Sequence, residues 1–133
     1  MEWTLEVVPV PVTDIDRAKH FYAEQVGFTV DHDTRRGEAR ILQLTPPGSG
    51  CSIVIGTVVT MEPGSLRGVQ LVVPDIEAAR ERLLKGGVDA SKVHHYDESG
   101  AVADGPGGRW NSFVHFSDPD GNQWVIQESP ADR

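Results

Sequence analysis

Patterns of apolar and polar residues follow one another in the same order in both halves of the chain. A valine-rich run over 5–12 predicts a strand, and Asp14 after it suits a helix N-cap. Apolar residues then recur at helical spacing up to Gly27, which is expected to end the helix. The expected buried side of this helix consists of Ala18, Phe21, Tyr22 and Val26. Further strands, separated by turns rich in glycine and proline, are predicted at 28–34, 40–45 and 51–59.

The second half repeats this order. A strand is predicted at 68–73, Asp75 is the expected N-cap, and Gly86 and Gly87 are expected to end the helix. The buried side of this helix is predicted to consist of Ile76, Ala79 and Leu83. The remaining strands are predicted at 88–96, 111–117 and 123–128. Each half is therefore expected to be a β-α-β-β-β module of a single α+β domain over 1–133, with module one at about 1–60 and module two at about 66–133.

A direct repeat in the sequence supports the two modules. Residues 12–18 read VTDIDRA, and residues 73–79, which start 61 positions later, read VPDIEAA. Both copies follow an apolar run and begin an amphipathic helical segment. Two similar modules that pack together leave a cleft, and clefts are where small molecules are usually bound. We therefore expect the functional site in a cleft between the modules.

The segment 97–109 differs from the rest of the second half because it is rich in Gly, Pro and Asp and has no periodicity. Its composition fits a mobile surface loop, or a lid over the pocket. The GPGGR sequence in this segment lacks the spacing of a phosphate-binding loop, and no helical pattern follows it.

Composition and charge argue against several classes of function. The formal net charge of −8 disfavours binding to nucleic acid or to an anionic membrane surface. No apolar run approaches the roughly 20 residues that would span a bilayer. Cys51 is the only cysteine, and its apolar surroundings favour an inert buried thiol over a nucleophile. Without a disulfide framework in the chain, a cytoplasmic location is expected.

Two motifs resemble one known family. PVTDIDRAKHFYAEQVGF at 11–28 is similar to the first strand, helix and following turn of the vicinal-oxygen-chelate superfamily, the glyoxalase, bleomycin-resistance and extradiol-dioxygenase group. FSDPDGNQW at 116–124 resembles the C-terminal hairpin of that superfamily. The resemblance implies two βαβββ modules whose sheets form a cup around a small-molecule site, and a homodimer. It does not fix one reaction, because members of one fold differ in function.

Metal-using members of this superfamily carry four His, Glu or Gln ligands. Transferred by the spacing of the motifs, three of these positions fall on Val7, Gly68 and Val125. The fourth lies in the strand CSIVIG, where Cys51 is the only possible donor. Hydrocarbon side chains and glycine cannot bind a metal. We therefore expect no metal and no other cofactor.

The hairpin register places a histidine among these positions. If Ser117 faces Gln123 across the turn, then His115 faces Val125, and alternation puts them on the face of the sheet that carries the lost metal position. A lone strand histidine is most often structural, but His115 can also recognise a ligand or act as a general base. His94 and its neighbour His95 point to opposite faces and cannot chelate together.

The same alternation predicts the lining of the pocket. Its walls are mostly apolar with a few amides, which suits a medium-sized, partly aromatic organic ligand. Trp110 at the end of the glycine-rich segment could close over it. The predicted ligand-binding residues are Val7, Pro9, Gln70, Val72, Trp110, Asn111, Phe113, His115, Val125 and Gln127.

Three functions remain open from the sequence. The first is a metal-free protein that binds or sequesters a hydrophobic or aromatic compound, such as an antibiotic or natural product. The second is an enzyme of the same superfamily, a lyase, isomerase or dioxygenase, either metal-free with His115 as general base or metal-dependent through unrecognised ligands. The third is a family member with an interaction role only. We favour binding, because no residue set forms a nucleophile and base pair.

Overall fold

The computed structural model describes all 133 residues, which group into two units. Unit one contains Met1–Leu66 together with Asp118–Asn122, and unit two contains Arg67–Ser117 and Gln123–Arg133. Each unit has one mixed sheet and one helix, so the predicted α+β class with paired βαβββ modules is confirmed. No helix is long and apolar enough to cross a membrane.

Unit one follows the predicted β-α-β-β-β order. Its elements are β1 (Val7–Pro9), α1 (Ile15–Lys19), β2 (Thr29–Arg36), β3 (Ala39–Thr45) and β4 (Ser52–Gly56). The sheet has the strand order β1-β4-β3-β2, with β1 parallel to β4 and the other pairs antiparallel. The side chain of Asp14 accepts a hydrogen bond from the backbone N–H of Arg17, as an N-cap does. The helix continues as a π-helical segment over His20–Val26 up to Gly27 at φ 100°.

The core of unit one lies between the sheet and the helix. Tyr22 is fully buried and stacks on Phe28, and the inward-facing side chains of the strands are buried around them. At the edge of this core, Arg40 donates two parallel hydrogen bonds to the carboxylate of Asp33, which also pairs with Lys19. These contacts hold the pKa of Asp33 well below its usual range. The buried residues are Leu42, Leu44, Ile53 and Ile55 in the strands, and Val10 directly after β1.

Unit two has one strand more than predicted. Its elements are β5 (Val69–Val73), α2 (Ile76–Lys85), β6 (His94–Tyr96), β7 (Val102–Asp104), β8 (Phe113–Ser117) and β9 (Gln123–Glu128). The sheet has the order β5-β9-β8-β6-β7, with β5 parallel to β9. Asp75 caps the helix by accepting from the backbone N–H of Ala78. Ile76 and Leu83 are buried as expected, whereas Ala79 is half-buried.

The segment 97–109, in which the sequence shows no periodicity, contains one strand, and its expected role as a mobile surface loop or a lid stays a prediction. Residues Val102–Asp104 form β7, which pairs antiparallel with β6. The turn between them is closed by Asp97, whose carboxylate accepts from the hydroxyl and N–H of Ser99 and from the N–H of Ala101, and these bonds lower the pKa of Asp97. A three-residue strand is too short to show an alternation in sequence. The predicted strand over 88–96 is likewise shortened to His94–Tyr96.

The turn between β8 and β9 belongs to unit one. It is the tight connection that its DPDGN sequence predicted, and Asp118 and Asn122 in it are buried. Asp118 accepts a 2.7 Å hydrogen bond from the hydroxyl of Tyr22. The side-chain amide of Asn122 donates to the carbonyl of Pro11 at 2.8 Å. This sequence motif is therefore fixed by buried polar contacts.

Candidate functional site

The open face of the unit-two sheet carries most of the residues predicted for the pocket. Phe113 lies opposite Gln127, His115 opposite Val125 and Ser117 opposite Gln123, so the predicted register is confirmed. Strand β5 pairs with the other edge of β9 and adds two side chains to the same face. Gln70 lies beside Val125, and Val72 lies beside Gln127. Gln70 and Val72 are exposed, as the alternation predicts.

Four rings meet on this face. His94 is buried and lies edge-to-face with His115, with ring centroids 4.6 Å apart. It also stacks on Phe113 at 6.1 Å. Tyr96 packs edge-to-face on Phe113 at 5.4 Å and remains 41% exposed, so it presents ring surface to a ligand. The ring cluster is defined by these four residues, His94, Tyr96, Phe113 and His115.

His94 and Tyr96 were not predicted for the pocket, because their place next to β8 depends on the pairing of His94 with Phe113. The sequence does place rings at 94 and 96 and at 113 and 115, which are positions that share a face within each strand. The prediction that His94 and His95 face opposite ways agrees with the structure, because the Nδ1 of His95 contacts the carbonyl of Gly105 instead.

The electrostatic environment of His115 favours its neutral form. Neighbouring atoms partly desolvate the imidazole, which lowers its pKa, and the adjacent His94 lowers it further. A neutral imidazole has one N–H donor and one nitrogen acceptor. His115 can therefore donate to or accept from a ligand near neutral pH, and it can also take up a proton.

The predicted amides make contacts within the protein. Gln70 donates to the side-chain oxygen of Gln127 at 2.6 Å, and Gln127 donates to the carbonyl of Trp110 at 2.8 Å. The side chain of Asn111 accepts a hydrogen bond from the backbone N–H of Tyr96 at 3.0 Å and donates one to its C=O at 2.8 Å. Its amide thus makes the two hydrogen bonds that the backbone of a neighbouring strand would make. These side-chain amides therefore join neighbouring strands and hold the backbone at Trp110 in place.

Trp110 adopts a left-handed backbone conformation with φ 59°, unusual for a residue other than glycine. Its ring is partly exposed, and the guanidinium of Arg133 lies 5.0 Å from the ring centroid. The expected closure of Trp110 over a ligand stays a prediction.

A cavity of about 500 Å³ extends along this face at the end where β8 turns into β9. Of the ten residues predicted to bind a ligand, His115 and Val125 line it. The remaining lining residues, absent from that prediction, are Gly68, Asp89, Ala90, Ser91, Phe116, Ser117, Gln123 and Trp124. Its volume is within the range of small-molecule sites, roughly 300 to 1,000 Å³.

Unit one holds the other two predicted residues, Val7 and Pro9, both exposed on β1. The strand pairs Val7 with Ser52 and Pro9 with Val54. The expected cleft between the modules stays a prediction.

The internal registers identify the fourth position at which a metal-using relative would carry a ligand. Gln70 lies beside Val125 in unit two, and Pro9, 61 residues earlier, lies beside Val54 in unit one. Val54 is therefore the equivalent of Val125. Cys51, which the sequence suggested as the only donor there, precedes β4 and is half-buried, so it is neither at this position nor fully buried.

The four positions hold Val7, Val54, Gly68 and Val125, none of which can donate an electron pair to a metal through a side chain. Elsewhere in the chain, no three His, Cys, Asp or Glu side chains converge to hold a metal ion. The residues present do not fit the metal centre that the family implies.

Comparisons with known proteins agree with the fold. The sequence profile of the Glyoxalase/Bleomycin resistance protein/Dioxygenase superfamily matches residues 4–126. The crystal structure of TnmS3, an antibiotic binding protein from Streptomyces sp. CB03234, is similar with a TM-score of 0.76 and 35% identity, covering 96% of this chain and 97% of TnmS3. A glyoxalase/bleomycin resistance protein from the same Streptomyces strain gives a TM-score of 0.73 and 36% identity, with 93% and 99% covered.

Among curated sequences, the uncharacterized protein YetH of Bacillus subtilis (strain 168) is 30% identical over 124 residues, which are 91% of this chain and 94% of YetH. The profile match alone spans most of the sequence, including both repeated helices. The chain belongs to the Glyoxalase/Bleomycin resistance protein/Dioxygenase superfamily.

Proposed function

We propose that this protein is a metal-free binding protein that holds or sequesters a hydrophobic or aromatic compound, such as an antibiotic or natural product. The observation that carries the proposal is the ring cluster, which lies on an open sheet face beside a cavity of about 500 Å³. Aromatic side chains favour stacked or edge-to-face contact with another ring. The likeness to TnmS3, an antibiotic binding protein, supports the same ligand class.

The side chains at the former metal positions support binding without a metal. Val125 lies between Gln70 and His115 in the sheet and adds apolar surface to the wall of the cavity. An apolar wall with a few polar groups is typical of sites for medium-sized organic ligands. Elemental analysis of protein purified without chelator tests this part, and a stoichiometric bound metal would contradict it.

The experiment for ligand binding is a survey of aromatic antibiotics and natural products by quenching of tryptophan fluorescence, since Trp124 lines the cavity. Tyr96→Ala should weaken the binding of the best ligand at least about fivefold, because an aromatic contact contributes roughly 1 kcal/mol beyond its buried area. Tyr96→Phe keeps the ring and is the matched control. The proposal fails if no compound binds more tightly than millimolar, or if both variants bind as the unaltered protein does.

A second candidate is a metal-free enzyme, favoured by the lowered pKa of His115 on an open face. A neutral imidazole beside a ligand can accept a proton from it as a general base. In that case His115→Ala should abolish turnover of a bound compound while its affinity stays within a few-fold. An equal loss of affinity and turnover would assign His115 to binding alone.

We further propose that the protein forms a homodimer in the cytoplasm. The N-terminal segment alternates polar and apolar residues, and Trp3 and Leu5 are 88% and 73% exposed. A second copy that covers these side chains would remove apolar surface from water. Light scattering on the unaltered protein and on the double variant Trp3→Ser and Leu5→Ser tests this. Equal masses for both, whether of a monomer or of a dimer, would contradict this interface.

A further inference from the structure

Part of the cavity wall, here called its polar end, consists of polar side chains that make no hydrogen bond or ion pair within the chain. These are the carboxylate of Asp89, the hydroxyl of Ser117 and the amide of Gln123, all of them on exposed residues. No Lys or Arg lines the cavity. Arg80 contacts the neighbouring segment, but its Nε donates to the carbonyl of Ser91 at 2.9 Å and it is not part of the lining.

The backbone fixes these groups relative to His115. Ser117 and Gln123 lie opposite each other, one step along the sheet face from the pair of His115 and Val125. The segment that carries Asp89 is bonded to β8 at Ser91, whose N–H donates to the carbonyl of His115 at 2.9 Å. The Ser91 hydroxyl in turn accepts from the His115 N–H at 2.8 Å. The polar end is therefore held beside the imidazole.

We propose that this end of the cavity binds the protonated amine of an aromatic ligand, with Asp89 as its counter-ion and Ser117 and Gln123 as further acceptors. The inference rests on the proposed function and specifies its ligand class. A carboxylate without a cation attracts an ammonium group, and a hydroxyl and an amide oxygen can accept its remaining protons. The lowered pKa of His115 favours its neutral form near neutral pH, so this imidazole does not oppose the amine. An anionic ligand is disfavoured by Asp89 and by the net charge of −8.

Three probes of similar shape test the proposal by isothermal titration calorimetry at pH 7: 1-naphthylmethylamine, 1-naphthalenemethanol and 1-naphthoic acid. They present an ammonium, a neutral hydroxyl and a carboxylate on the same ring system. We expect the amine to bind most tightly and the acid least tightly. Asp89→Asn should weaken the amine about two- to fivefold, the range of an exposed ion pair, and leave the alcohol unchanged. Raising the salt should reduce the preference for the amine.

Glu98→Gln is the matched control, because it removes one negative charge from an exposed residue of the same unit that does not line the cavity. It should leave all three affinities unchanged. If the alcohol binds but the amine binds no more tightly, or if Asp89→Asn weakens all probes alike, the amine site is refuted and the proposed function stands. If none of the probes and no compound of the survey binds, both proposals fail.

Discussion

Truncating Asn122 to alanine removes a fully buried amide that makes three hydrogen bonds within unit one. Its Nδ2 donates to the carbonyl of Pro11 at 2.8 Å and to the carboxylate of Asp118 at 2.7 Å, and its Oδ1 accepts from the N–H of Leu66 at 3.1 Å. A neutral hydrogen bond contributes about 1 kcal/mol net, and one to a charged group about 2 kcal/mol. We therefore expect Asn122→Ala to lower the free energy of unfolding by about 4 kcal/mol.

The same-sized variant Asn122→Asp separates hydrogen bonding from packing. It keeps the acceptor for Leu66 but replaces the donor with an oxygen that faces the carbonyl of Pro11 and the carboxylate of Asp118. Like charges in a buried site repel strongly. Asn122→Asp should therefore destabilise the protein more than Asn122→Ala at pH 7, although it leaves no cavity.

Urea unfolding followed by circular dichroism and by tryptophan fluorescence measures both effects. Gln123→Ala is the control, because the neighbouring side chain is exposed and should change the free energy of unfolding by less than about 0.5 kcal/mol. A loss below about 1 kcal/mol for Asn122→Ala, or an aspartate variant more stable than the alanine variant, would contradict the stabilising role of these hydrogen bonds.

Three further predictions concern glycine geometry and pH. A Cβ at Gly64 (φ 77°) would lie 2.2 Å from a backbone oxygen, whereas a Cβ at Gly100 (φ 84°) would meet no atom within 4 Å. Thermal unfolding should therefore show a clearly larger loss of stability for Gly64→Ala than the roughly 1 kcal/mol expected for Gly100→Ala. Because Arg40 lowers the pKa of Asp33 from 3.8, the free energy of unfolding should decrease as the pH falls below about 4. This decrease should be smaller in the variant Asp33→Asn, which has no carboxylate to protonate. The pKa of His115 in the folded state lies below 6.5, so the unfolded chain takes up a proton at this residue more readily than the folded chain does. The free energy of unfolding should therefore keep its full value above pH 6.5 and decrease below it. His115→Gln should remove this contribution to the pH dependence of stability. Equal costs for the two glycine variants, or unchanged pH profiles for the other two, would contradict these statements.

The elements that the sequence predicted are those specified by neighbouring residues. Asp14 and Asp75 cap their helices as expected, because an N-cap bond joins residues three apart. The register of the β8–β9 hairpin also agrees, since a short turn fixes which residues face each other, as with His115 and Val125. The family resemblance rests on the same local motifs.

The candidate site was only partly predictable because its parts are distant in sequence. His94 joins His115 only when β6 pairs with β8, and Asp89 lies by the cavity because Ser91 is bonded to the backbone of His115. The pattern of apolar residues does not encode such pairings. It also gave no sign of β7, which is stabilised by its partner strand and by the turn at Asp97.

The order of the amino acids was enough to predict the two modules, their helix caps, the inner and outer faces of the strands, and the lack of metal donors at Val7, Gly68 and Val125. These follow from periodicity and from side-chain chemistry, which are properties of the chain itself. The three-dimensional arrangement was needed to show that Val54 is the fourth such position, that four rings cluster on one face, and that Asp118 and Asn122 of the β8–β9 turn are buried in unit one. These features depend on strand order and on hydrogen bonds between residues up to 111 positions apart, which no local pattern specifies.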